Sequence, residues 1–197
     1  TEGNGDYTVV GYQQIQGDQY AALYSEILTV ELENDFLPFL YPNQYVNFSP
    51  DSEASKLALS MVSEDTTDVD ALKQIVNNLT YDYDKAETVE TGYLPDVDET
   101  LSTKTGICFD YAALTTAMLR SCDIPCKLQI GYTGDIKHAW IDVYIRTKGW
   151  VTNAVSFNGD SWSLMDPTFD SSADSDDSEA IQDYIGNADN YTVQFTR

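Results

Sequence analysis

The spacing of apolar residues changes at Pro125, and that change bounds the fold more tightly than any other feature of the chain. Before it, apolar side chains recur every three or four positions, the repeat of helices that bury one face. Tyr20, Leu23, Tyr24, Ile27 and Leu28 predict a helix within residues 18–34. Leu57, Leu59 and Met61 predict another over 52–63. Val69, Leu72, Ile75, Val76 and Leu79 predict a third, capped by Thr67 or Asp68. A fourth starts near Gly106 and runs through Ala112, Ala113, Ala117 and Leu119 to about Ser121. After Pro125 come short β-branched or aromatic segments at 126–133, 137–146, 149–157 and 161–165. Thr133-Gly134-Asp135 and Asn158-Gly159-Asp160 supply hairpin turns between them. Helices first and strands afterwards predict an α+β fold with an antiparallel sheet.

Residues 1–15 read as an irregular arm, 38–50 as an extended connector, and 81–100 as a long acidic loop beside a cleft. Residues 191–195 read as an edge strand. The expected organisation is one compact domain: a helical extension over 1–65 packed on a core over 66–197. The 197 residues carry 33 acidic and only 10 basic side chains, a net charge of −23. That charge, with its few and scattered Lys and Arg, argues against a sequence-independent nucleic-acid binder, which needs clustered cations against phosphate. The charge suits solubility first and attraction of basic substrates second. No apolar run reaches the ~20 residues of a membrane-spanning helix. The start at Thr1 and the acidic, Lys-poor composition lead us to expect an extracellular or cell-surface bacterial protein whose signal peptide has been removed.

One histidine and three cysteines leave little room for zinc. The acidic run after Asp166 lacks the glycine and ligand spacing of an EF-hand, and no glycine loop for phosphate is present. No cofactor or metal is therefore expected. Cys122 and Cys126 flank Asp123-Ile124-Pro125, either as a tight disulfide or as two small buried thiols. Cys108 differs, because GICFDYA places it in the first turn of a helix. Unpaired backbone N–H groups and the helix dipole favour negative charge there, and can donate to the oxyanion of a tetrahedral intermediate. Gly106 lets the chain turn into the helix and leaves room for a substrate backbone. Thirty residues on, His138 shares one face of a predicted strand with Trp140, Asp142 and Tyr144, while Ala139, Ile141, Val143 and Ile145 take the other. If the first face meets the start of the Cys108 helix, imidazole can take the thiol proton. Asp166, at the end of a later strand, can hold the ring by accepting from its second nitrogen.

Several strings resemble the transglutaminase-like superfamily of papain-type cysteine enzymes. They are the helix ending in YDYD, GICFDYAALTTAMLRSCDIPCKL, the GY before HAWIDVYI, and WSLMDPTFD, which together span roughly residues 69–169. The resemblance implies Cys108 as nucleophile, His138 as base and Asp166 as orienting acid. Asp110 and Tyr111 take architectural positions, and the fold is an α+β core with the Cys helix on an antiparallel sheet. Gly106, Tyr83 and Trp140 are candidates for the oxyanion site and substrate cleft, with Tyr81 beside them. The implied activity is acyl transfer through a thioester, acting on a protein or peptide amide as a peptidase, amidase, deamidase or transglutaminase. The alternative is a surface protein-binding module with an unused triad.

Overall fold

Every residue from Asp110 to Arg120 is buried, which puts helix α4 (Cys108–Ser121) at the centre of the core. In this computed structural model, residues 3–62, 80–90, 92–152, 155–157, 162–164 and 190–197 are described. The predicted helix over 67–79, the turn at 158–160, the acidic run after Asp166 and Asp166 itself lie outside them. Helices α1 (Glu53–Met61), α2 (Tyr83–Thr88) and α3 (Val97–Thr103) precede α4. After it come the long strands β5 (Cys126–Thr133) and β6 (Ile136–Ile145). They are joined through the two-residue turn Gly134-Asp135, where Gly134 takes a φ of 56°. Strand β7 (Gly149–Val151) pairs with β6, and β10 (Tyr191–Thr196) lies on the outer edge of β5. All four strands run antiparallel, in the order β10-β5-β6-β7. Short strands β8 (Val155–Phe157) and β9 (Trp162–Leu164) form a separate pair.

The composition of α4 explains its central place. Ala112, Ala113 and Ala117 let neighbouring elements approach its backbone, while Leu114, Met118 and Leu119 fill the gaps. Ala54 and Ala58 of α1, Val97 of α3, and Leu128, Ala139, Ile141, Val143 and Ile145 of the sheet complete one continuous core. Each fully buried large aliphatic contributes roughly 1.5–3 kcal/mol. The helix ends where Cys122 and Ile124 donate to the Leu119 carbonyl and Asp123 adopts the left-handed conformation, with a φ of 57°. Pro125 then bars further helix.

Two expectations are corrected here. Residues 19–30 are not helical: β2 (Gln19–Val30) pairs with β1 (Gly5–Gln16) in a long antiparallel hairpin. A bulge opposite the Gly11/Tyr12 step inserts Leu23, and the apolar residues switch faces there. Strand alternation on either side of that slip imitates a helical repeat. The Tyr24 ring lies across Gly11, where a Cβ would sit 2.2 Å from a ring carbon. Residues 1–37, which hold the hairpin, form one compact unit and residues 38–197 another. The acidic stretch over 81–100, read as loop, holds α2 and α3. Asp82 and Asp96 cap these helices by accepting from the backbone N–H of Lys85, and of Asp98 and Glu99.

Candidate active site

The start of α4 is built in three steps. Strand β4 (Thr105–Gly106) pairs in parallel with β3 (Thr80–Tyr81), and the Asp82 N–H donates to the Gly106 carbonyl at 2.9 Å. Ile107 is extended, and Cys108 is the first helical residue, half-buried against the core. Asp110, wholly buried, turns back and accepts from the Ile107 N–H at 2.8 Å. An acid in the third helical position thus satisfies one of the backbone donors orphaned at a helix start.

Gly106 gives Asp110 the room to close this turn. Its φ is not left-handed, and a Cβ there would lie 2.7 Å from the Asp110 Cβ and 2.9 Å from Oδ2. The space that its missing side chain leaves is occupied by Asp110. Tyr83 opens α2, but its side chain lies outside the described residues, as does that of Tyr81.

His138 is on β6, directly opposite Gly131 of β5, and only 5 % exposed. Its ring stacks on Trp140, with centroids 6.1 Å apart, and faces Tyr191 of β10 at 6.4 Å. Trp140 is 2 % exposed and packs against Tyr191 at 5.2 Å. It packs directly beside the His138 ring, with almost none of its surface exposed. The core shared with α4 takes Ala139, Ile141, Val143 and Ile145, the apolar face of β6. His138, Trp140 and Asp142 occupy the opposite face, so the strand does not turn its histidine face onto the helix along its length. Asp142, the buried acid on that face, accepts from Gln129 Nε2 at 2.6 Å, and Gln129 in turn accepts from Thr196 Oγ1 at 2.7 Å. This chain of hydrogen bonds ties β6, β5 and β10 together.

Gly131 makes this arrangement possible. A Cβ there would fall 1.9 Å from the Thr192 carbonyl oxygen and 3.0 Å from Trp140 Cη2. Gly131→Ala is therefore expected to force β10 off β5 and loosen Tyr191 behind His138. A lowered denaturation midpoint, worth at least ~2 kcal/mol by the usual cost of overpacking, together with weakened near-ultraviolet dichroism, would show it.

The other two cysteines are unbridged. Burial pushes the Cys126 thiol up to about 12, and its sulfur donates to Thr116 Oγ1 at 3.5 Å. Burial, helped by the Asp123 charge, also raises the Cys122 thiol. Both are protonated packing groups at neutral pH, which sets Cys108 apart as the cysteine placed at a helix start. Among the described residues, no cluster of His, Cys, Asp and Glu could hold a metal ion, and no helix is long and apolar enough to cross a membrane.

Sequence reasoning missed Lys85 and Tyr93. Both reach Asp110 from the stretch read as a loop: Lys85 Nζ lies 2.8 Å from Oδ2, and the Tyr93 hydroxyl donates to Oδ1 at 2.5 Å. A lysine three residues after a helix-capping aspartate was the available signal.

Comparisons with known proteins agree with this architecture. Residues 55–167, more than half of the chain, match the family described as the transglutaminase-like superfamily. UPF0252 protein MJ1282 of Methanocaldococcus jannaschii is 42% identical over 57 residues, covering 26% of this chain and 16% of that protein. YebA of Bacillus subtilis is 25% identical over 154 residues, covering 64% of this chain and 21% of YebA. The chain thus spans about a fifth or less of these relatives' lengths. Among solved structures, a candidate cysteine protease from Cytophaga hutchinsonii superposes over 100% of this chain and 72% of its own, with a TM-score of 0.53 and 17% identity, a likeness of fold. With its mixed helices and antiparallel sheet, and with the match centred on the Cys108 helix and the strands after it, the chain belongs to the transglutaminase-like superfamily.

Proposed function

We propose that this protein is a cysteine-dependent acyl-transfer enzyme acting on protein or peptide amides, with Cys108 as nucleophile, His138 as base and Asp166 as the acid that orients the imidazole. The observation that carries this reading is the placement of Cys108 as the first residue of a buried helix whose opening turn is fixed by Asp110. His138 supports it from a strand packed on the same core, with its ring fixed by Trp140 and Tyr191. In the proposed cycle, His138 takes the thiol proton and the sulfur attacks the amide carbonyl. The Cys108 N–H, in the unpaired first turn, donates to the oxyanion. His138 then returns the proton to the leaving amine, and a thioester remains. Water gives hydrolysis or deamidation; an amine gives crosslinking. We favour hydrolysis, because water needs no second binding surface to reach the thioester.

Labelling with electrophilic glutaminyl and peptidyl probes tests this reading, with the modified residue located by mass spectrometry. Cys108 is expected to label well below pH 8, ahead of Cys122 and Cys126, and Cys108→Ala to abolish labelling and turnover. If Cys108 reacts no faster than an ordinary exposed thiol, the chain is instead a binding module with an unused triad.

A further inference from the structure

Asp110 presents a problem that the proposed chemistry alone does not solve. Its carboxylate is fully buried two residues after Cys108, in the same first turn. It is needed there to hold the Ile107 N–H. A fixed negative charge in that turn, however, opposes a second one, whether thiolate or oxyanion.

Lys85 and Tyr93 surround this carboxylate. Lys85 Nζ is 2.8 Å from Asp110 Oδ2 and donates to the Tyr93 hydroxyl at 2.7 Å, and that hydroxyl donates to Asp110 Oδ1 at 2.5 Å. The ammonium also sits 4.5 Å from the centre of the Tyr93 ring, which packs edge-on against Phe109. The lysine is held from its own end as well. Its backbone N–H donates to the capping Asp82 carboxylate, and the Asp82 N–H is bonded to the Gly106 carbonyl. Lysine, tyrosine and the turn carrying Cys108 thus form one closed circuit. Burial works against the Lys85 charge, yet hydrogen bonds to Asp110 and Tyr93 outweigh it and raise the ammonium above its ordinary range.

We infer that Lys85 and Tyr93 are positioning residues that neutralise Asp110, so that the first turn of α4 can carry the negative charge that develops at Cys108. This rests on the reading of Cys108 as nucleophile and adds what makes its turn fit for the task. Asp110 sets the geometry and Lys85 cancels its electrostatic cost. Tyr93 relays between them and occupies the second carboxylate oxygen. None of the three need touch substrate.

The experiment measures alkylation of Cys108 by iodoacetamide from pH 5 to 10, peptide by peptide, alongside thermal melting. Lys85→Met is expected to slow Cys108 at pH 7 about tenfold and to move the midpoint of its pH profile up by about one unit, the scale of one uncompensated neighbouring charge. Tyr93→Phe should give a smaller shift in the same direction, and Lys85→Arg should restore much of the parental profile. A merely structural role would lower the melting temperature and leave the midpoint where it was, and that result overturns the inference. So does an unchanged profile in all three variants. If parental Cys108 is itself no more reactive than an ordinary thiol, the reading of the nucleophile fails first, and the two failures are told apart by the parent alone. Should Lys85→Met not fold, Tyr93→Phe decides the matter, since it removes one hydroxyl and leaves the aromatic packing in place.

Discussion

A His138→Asn variant is expected to fold like the parent and to lose about 10²–10⁴-fold in turnover, the range for removing a general base. Asparagine is close enough in size to sit against Trp140 and Tyr191, and its amide can still hydrogen-bond, but it cannot accept and return a proton. The buried, ring-lined position of His138 makes substitution by water unfavourable, so little activity should be recovered by solvent. The comparison needs kcat/KM on a substrate identified by labelling, with Cys108→Ala as the zero. The pH profile of Cys108 alkylation should flatten in the same variant, because thiol and base would no longer act as a pair. Turnover within about threefold of the parent would remove His138 from the mechanism, given how rarely a working base is dispensable.

The largest effect on stability is expected at Arg120. Its guanidinium is 2 % exposed and donates through Nε and Nη2 to the Cys126 carbonyl at 3.0 and 2.8 Å. Through Nη1 it reaches the Tyr41 carbonyl at 2.7 Å, and through Nη2 the Arg197 carbonyl at 2.9 Å. Burial lowers its pKa to about 10, so it is still charged at neutral pH, and its position in the last turn of α4 suits a cation. Arg120→Met fills much of the same volume and removes the four guanidinium hydrogen bonds to those carbonyls. Breaking a buried, charge-assisted set of this kind costs about 3–5 kcal/mol, or roughly 10 °C in melting temperature for a unit of this size. Arg120→Lys should recover only part of it, because an ammonium cannot span three carbonyls in a plane. A melting temperature within about 2 °C of the parent would show the guanidinium to be dispensable.

The sequence was most legible where side-chain pattern and backbone chemistry coincide. Helix α4 and strand β5 begin and end close to their predicted limits because Gly106, Pro125 and Gly134 punctuate them and their apolar residues keep one period. Strand β10 was legible as an edge for the same reason. The β1–β2 hairpin was not, since one bulge converts alternation into a helical spacing, and only pairing with a distant strand resolves the two. The two faces of β6 were legible as a pattern, whereas the element that each would meet was left open. Nothing in alternation says which side a helix will take, and the apolar side offers α4 more burial. Lys85 was hidden because its meaning lies in Asp110, a charge that is visible in the sequence and a burial that is not.

The position of β10 has a consequence for how the site comes into being. Helix α4 and the β5–β6 hairpin are made of neighbours in sequence and can form early, while β10 pairs with a strand far from it along the chain. Its Thr196 meets Gln129 from 67 residues away, and Arg197 and Leu128 exchange backbone hydrogen bonds at 2.8 Å. Loop closure of that length is entropically costly, so this strand is expected to dock late. Tyr191, which rides on it, reaches the His138 ring only then. The nascent chain therefore holds its thiol and its imidazole before it holds the wall that fixes the imidazole. Chemical competence is expected to arrive as the last event of folding rather than growing in by degrees.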